Sequence, residues 1–260
     1  MTILDQIIKT KEIELQYSKD KTSILELEKL PIFERSIFSL SNSVKNSFHG
    51  IIAEHKRKSP SKSIINDSIS ITQVIDGYNN AGVSGISVLT DNKYFKGSLE
   101  DLLTARNMTK IPVLRKEFII DEYQIIEAKA YGADAILLIA ACLSIKKIKS
   151  LSECAKSIGL EVLIEIHNLE ELNGCLIDSI DIIGVNNRNL KTFKVDIQTS
   201  KNLIKYIPSD FIKISESGLS NPIELKELKE FGFDGFLMGE NFMKHTDPGL
   251  EALEFINRLK

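Results

Sequence analysis

"GIIAEHKRKSPS", residues 50–61, starts as an apolar strand and ends as a polar loop. Alternate side chains of an extended chain share a face, so Glu54 and Lys56 point the same way, beside Ile51, Ile52 and Ala53. On a half-solvated sheet two such charges would simply face water. A strand buried on both faces needs another reason to carry them.

The same kind of run recurs along the chain. "GISVLT" at 85, "IPVLRKE" at 111, "DAILLIA" at 134, "EVLIEIH" at 161, "IDIIGVN" at 180, "FIKISES" at 211 and "DGFLMGE" at 234 bring the number to eight. Short Val- and Ile-rich runs of this kind suit strands of a parallel sheet covered on both faces. Amphipathic stretches separate them, including "SITQVIDGYNNA", "DEYQIIEAKAYG" and "NPIELKELKEFG". Several end in a glycine suited to a left-handed C-cap, as in "AYGAD", "SIGLE" and "EFGFD". Eight strands alternating with helices over some 210 residues predict a (β/α)8 TIM barrel at residues 48–260. An open doubly wound sheet is the alternative, but no Gly-x-Gly-x-x-Gly follows the first strand. Residues 1–47 carry helical patterns and are expected to pack on the barrel as an N-terminal extension of a single domain.

Composition narrows the function classes. The 260 residues are 43% hydrophobic and 27% charged, with a net charge of −3, which gives no electrostatic footprint for nucleic acid. The longest apolar runs, such as "AILLIAACL" at 135–143, fall short of the roughly 20 residues of a bilayer crossing. "MTILDQIIKTKEIELQ" reads as an amphipathic helix rather than a secretory signal. Cys142, Cys154 and Cys175 sit in apolar or helical patterns and read as ordinary thiols, which with the missing signal points to the cytoplasm. No His, Cys and carboxylate spacing resembles a metal site, and neither metal nor cofactor is expected.

A barrel of this class places its active site at the C-terminal ends of the strands. Reading the runs to their ends gives Lys56, Thr90, Lys116, Ala140, Glu165, Asn186, Glu216 and Gly239. The period of two joins Glu54 to Lys56, Leu114 to Lys116, Leu163 to Glu165, Gly184 to Asn186 and Arg188, and Ile214 to Glu216. If that face is the barrel interior, three carboxylates and three cations meet at one mouth. Buried charges cost several kcal/mol each unless paired, so such a cluster points to chemistry. Phosphate is expected at the loops after strands seven and eight, where "SESGLS" and "LMGENFM" offer Ser217, Gly218 and Gly239. His55 and Arg115 have the opposite parity. His167 shares the parity of Glu165 but lies past the strand end and carries little weight.

"IIAEHKRKSPS", "SVLTDNKYFKGS", "VLRKEFIID", "LIEIH", "IGVNNRNL", "ISESGLS" and "FLMGENFM", in this order and each at a strand end, resemble the indole-3-glycerol phosphate synthase family of tryptophan biosynthesis. The resemblance spans nearly the whole chain. It implies ring closure, decarboxylation and dehydration of 1-(2-carboxyphenylamino)-1-deoxyribulose 5-phosphate, chemistry that needs ammonium and carboxylate groups at one mouth. It further implies that Lys116 is the general acid of the condensation and Glu165 the acid/base residue of the dehydration. By the same resemblance Lys56 would bind anionic groups and serve as an acid in the later step, and Glu54 and Asn186 would orient and stabilise. Arg188 and Glu216 would engage the ribulose hydroxyls or carboxylate. Phe95, Phe118, Leu137 and Leu190 match the family's apolar slot for the aromatic ring, and Ser217, Gly218, Gly239 and Glu240 match its phosphate cradle.

Two positions depart from the family pattern. "SPSKS" lacks the glycine usual in or just after that loop, and Glu240 replaces a serine found in some members, so its side chain is expected to turn from the phosphate. Lys56 and Lys116 are expected to depress one another's pKa, opposed by Glu54 and Glu165. A phosphosugar isomerase, an aldolase with Lys116 as Schiff-base nucleophile, and a non-catalytic ligand-binding barrel are the competing readings. No fused isomerase domain is expected, and association with other tryptophan-pathway enzymes is left open.

Overall fold

The eight apolar runs are strands: β1 (Ile51–His55), β2 (Gly85–Leu89), β3 (Val113–Lys116), β4 (Ala135–Ile139), β5 (Glu161–Ile166), β6 (Ile182–Asn186), β7 (Ile212–Glu216) and β8 (Gly235–Met238). In the computed structural model, which describes residues 2–260, each pairs in parallel with its sequence neighbours, and β8 closes on β1. Three helices precede the barrel: α1 (Ile3–Lys21), α2 (Ile24–Glu28) and α3 (Leu40–Lys45). The others are α4 (Ile71–Ala81), α5 (Leu99–Met108), α6 (Glu122–Ala130), α7 (Ile145–Ser157), α8 (Leu169–Asn173), α9 (Gln198–Leu203), α10 (Pro222–Glu230), α11 (Glu240–Met243) and α12 (Pro248–Leu259).

Local signals set the helix ends. Ser70 and Asp121 cap α4 and α6 in reciprocal capping boxes with Gln73 and Gln124. Asn221 caps α10, whose first residue is Pro222. The glycines that close α6, α7 and α10 in the sequence, Gly132, Gly159 and Gly232, all take positive φ.

Strand parity divides the apolar residues into two layers. Ile51, Ala53, Val88, Val113, Ile136, Ile164 and Val185 face outward into the layer shared with the helices. Ile52, Leu114, Leu137, Leu163, Ile182, Ile214 and Leu237 fill the barrel interior. That inner plug stops short of the C-terminal rim, so the next interior positions along β1, β3, β5, β6 and β7 stand above an apolar floor.

The segment before β1 grips both ends of the barrel. Below, Leu40 and Val44 of α3 join the interior cluster, and the Glu161 carboxylate accepts hydrogen bonds from the Ser39 hydroxyl (2.6 Å) and the Ser41 amide (2.8 Å). Asp134, fully buried at the start of β4, pairs with Arg35 at 2.7 Å and with Arg106. Above, Lys11 of α1 is 4% exposed, and its ammonium lies 2.6 Å from Asp91 and Glu14 and 3.2 Å from Glu117. Burial works against that charge, but Glu117 and Asp91 outweigh it and raise the Lys11 pKa well above the ordinary lysine value. This buried pairing draws the first turns of α1 over the barrel mouth.

Candidate active site

One cavity of about 510 Å³ opens at the C-terminal ends of the strands. All fifteen candidate residues line it: Glu54, Lys56, Phe95, Lys116, Phe118, Leu137, Glu165, Asn186, Arg188, Leu190, Glu216, Ser217, Gly218, Gly239 and Glu240. Several residues that the sequence did not single out join them. Ile3, Leu4 and Ile7 of α1 contribute to the wall, and so do Phe193 and Val195 from the loop after β6.

Lys116 is the hub of the polar floor. Its Nζ lies 2.6 Å from Glu216 Oε2 and 3.3 Å from Glu165 Oε2. Glu54 Oε1 accepts a 2.6 Å hydrogen bond from Lys56, and Ser87 donates to Glu54 Oε2 at 3.3 Å. Asn186 Nδ2 donates to Glu165 Oε1 at 3.0 Å, while Asn186 Oδ1 accepts the Arg188 backbone N–H at 2.9 Å. Glycine makes room for this crowd. A Cβ at Gly184 would lie 2.2 Å from Glu216 Oε1, and one at Gly239 would lie 2.7 Å from Glu54 Oε1.

Three carboxylates around one ammonium set the protonation pattern. Burial opposes the charge on Lys116, but Glu216, Glu165 and Glu54 prevail and raise its pKa far above the ordinary lysine value. The expected mutual depression by Lys56 is therefore overturned for Lys116, because the three carboxylates dominate its charge environment. Burial also opposes ionisation of Glu165, yet Lys116, His167 and Asn186 hold it well below the carboxylate range. Glu54 is likewise lowered, against burial, by Lys56 and Lys116. Glu216 goes the other way: burial, reinforced by Glu165 and Glu54, pushes it up to about 7 despite its contact with Lys116. The cluster thus concentrates its exchangeable proton on Glu216.

The cavity combines an aromatic wall with a sharply turned loop after β7 and the start of a short helix after β8. Phe95 and Phe118 pack with ring centroids 6.0 Å apart. On the other side, Ser217 and Gly218 take consecutive positive φ values of 68° and 76°, turning the chain sharply after β7. A non-glycine residue held there is strained, a feature that clusters at ligand sites. Gly239 opens the short helix α11, whose first amides have no intrahelical acceptors. The Glu240 carboxylate turns to Lys62, with Oε1 2.6 Å from Nζ. Lys62 lies in "SPSKS", where reciprocal backbone hydrogen bonds between Ser59 and Lys62 (2.9 and 3.1 Å) close the loop without glycine. The two departures from the family pattern thus meet in one ion pair.

His55 and Arg115 are buried outside this constellation; Arg115 Nη2 reaches Glu127 in the helix layer at 2.7 Å. His167, given little weight in the sequence, places Nε2 3.4 Å from Glu165 Oε1.

Known proteins match this chain in sequence and in fold. The family model described as indole-3-glycerol phosphate synthase matches residues 4–255. The chain belongs to the indole-3-glycerol phosphate synthase family. A curated indole-3-glycerol phosphate synthase from Bacteroides thetaiotaomicron is 45% identical over 99% of this chain and 99% of its own length. Another, from Caldanaerobacter subterraneus subsp. tengcongensis, is 43% identical with the same coverage of both chains. Among solved structures, a 3-hexulose-6-phosphate synthase from Salmonella typhimurium superposes with a TM-score of 0.64 at 14% identity, covering 80% of this chain and 97% of that one. At that identity the likeness speaks for the barrel alone. Family membership makes the chain a lyase of tryptophan biosynthesis that forms indole-3-glycerol phosphate with loss of carbon dioxide.

Proposed function

We propose that the Lys116–Glu165–Glu216 cluster performs the indole-forming steps of this family on 1-(2-carboxyphenylamino)-1-deoxyribulose 5-phosphate. The observation that carries this assignment is the 3.3 Å contact between Lys116 and Glu165 inside one cavity. The aromatic ring lies against Phe95, Phe118, Leu137 and Leu190, and the phosphate lies at Ser217, Gly218, Gly239 and the Glu240 amide. This orientation sets the ketose carbonyl over the polar floor. Excluding water from the aromatic slot strengthens every charge interaction at the closing bond.

In the first step the aromatic carbon bearing the carboxylate attacks the ketone carbon. Lys116 donates its proton to the developing alkoxide, a base strong enough to take it even from an ammonium with a raised pKa. Carbon dioxide then leaves, and its bonding pair restores the aromatic ring. In the last step Glu165, held as a carboxylate, removes a proton while Lys56 protonates the departing hydroxyl as water. Glu54 holds Lys56 in place, and Asn186 holds Glu165. Arg188 and Glu216 bind the ribulose oxygens. The balance requires uptake of one proton per turnover, because the substrate carboxylate leaves as neutral carbon dioxide.

In this reading residues 1–47 are a flanking extension of one catalytic domain at 48–260, and the small phosphorylated substrate is the partner. Among the described residues no helix is long and apolar enough to cross a membrane. Incubation of the purified protein with the anilino-ribulose phosphate, followed by indole fluorescence, tests the reading. Turnover that Lys116→Ala and Glu165→Gln abolish without unfolding supports it. Trapping of a ketose phosphate on Lys116 by borohydride would instead support the Schiff-base aldolase.

A further inference from the structure

Glu165 is tethered from a side that the reaction scheme leaves unused. Immediately after β5, Glu171 Oε2 accepts the His167 backbone N–H at 2.7 Å and contacts His167 Nδ1 at 3.1 Å. The second Glu171 oxygen accepts from Asn168 Nδ2 at 2.8 Å, and Asn168 caps α8 by accepting the Glu171 backbone N–H at 2.9 Å. The ring is thereby locked, with Nδ1 bearing a proton toward a carboxylate. Its other nitrogen, Nε2, is buried without a hydrogen-bond partner and faces Glu165 Oε1 at 3.4 Å. A carboxylate–imidazole–carboxylate line therefore runs from the N-terminus of α8 to the floor of the cavity.

We propose that His167, oriented by Glu171, is a positioning residue that holds Glu165 ionised and aimed at the substrate for the dehydration step. This inference rests on the catalytic reading of Glu165 given above. His167 does not line the cavity, so it acts through Glu165 rather than on the substrate. The groups that face the line are Glu165 from β5, Lys116 from β3 on the far oxygen of Glu165, Glu171 from α8, and Cys142. Cys142 sits in the turn after β4, where burial and Glu165 push its thiol up to about 12, so it remains uncharged. Burial alone would lower the His167 pKa, but Glu165 and Glu171 outweigh it and raise it to about 10. A cation beside Oε1 complements Lys116 beside Oε2 and leaves the proton of the carboxylate cluster on Glu216.

The test compares wild type, His167→Gln and Glu171→Gln in kcat and KM as functions of pH, with 15N NMR of the histidines in the free wild-type protein. Replacing the imidazolium by a neutral amide is expected to lower kcat about tenfold or more and to raise its acid limb, which in wild type lies below the carboxylate range, into the ordinary carboxylate range, with KM within about threefold. Glu171→Gln is expected to move the limb in the same direction by less, and the wild-type His167 ring is expected to keep both protons at pH 8. An unmoved acid limb in both variants, or a neutral His167 ring at pH 8, overturns the proposal. If His167→Gln fails to unfold cooperatively, Glu171→Gln and the wild-type spectrum decide. A wild-type protein that forms no indole product overturns the reaction assignment and this inference with it; an active wild type with unmoved variant profiles overturns this inference alone.

Discussion

The Lys116 ammonium touches Glu216 at 2.6 Å, yet Glu216 is the one carboxylate of the floor whose pKa rises, to about 7. Burial, reinforced by Glu165 and Glu54, outweighs that contact, so Glu216 holds its proton more tightly than a free carboxyl does.

Stability should record that proton. The folded-state pKa of Glu216 lies above its unfolded value, so between about 4.5 and 7 the native state binds more protons than the unfolded one. Its contribution therefore falls as pH rises through that window, by about 3 kcal/mol in all. Urea unfolding of wild type against Glu216→Gln at pH 5 and pH 8 should show this loss in wild type and a smaller one in the variant.

Removing the hub should reverse the sign of the problem. Lys116→Met leaves Glu54, Glu165 and Glu216 without their shared cation, and breaking a buried pair costs about 3–5 kcal/mol. The loss should be larger at pH 8 than at pH 5, where the carboxylates take up protons instead. Thermal melts at the two pH values check this.

Lys11 should matter for both stability and substrate binding. Lys11→Met strands the buried carboxylates of Asp91 and Glu117 and frees the helix that carries Ile3, Leu4 and Ile7 to the cavity wall. Stability should fall by about 3 kcal/mol and KM should rise. An unchanged KM in a folded variant would separate α1 from the site.

The Lys62–Glu240 pair is exposed, so its loss should change stability by less than about 1 kcal/mol. Glu240→Ser removes a carboxylate from the proposed phosphate loop and should tighten binding of inorganic phosphate, measured by calorimetry. Lys62→Ala, which leaves Glu240 unneutralised, should weaken it.

The barrel and much of its floor were legible because strand parity is local. Once β1, β3, β5, β6 and β7 are located, Glu54, Lys116, Glu165, Asn186 and Glu216 fall on the interior face without any tertiary information. Ser87 escaped because its run carries no charge, although it hydrogen-bonds Glu54. The α1 wall and Lys11 escaped for a different reason. An amphipathic helix shows which of its faces is apolar, but not which end of a barrel it will cover, and the buried partners of Lys11, Asp91 and Glu117, lie 80 and 106 residues away. The roles of Gly184 and Gly239 as space for Glu216 and Glu54 depend on cross-barrel packing that no single strand displays.

Separating the products in time tests the division of labour between Lys116 and Glu165 most directly. Single-turnover reactions that follow carbon dioxide release and indole fluorescence together should show both signals abolished in Lys116→Ala. In Glu165→Gln, carbon dioxide should still leave while indole formation stalls. If either variant released carbon dioxide and formed indole in step at the wild-type rate, the two groups would not act on one bound substrate as described.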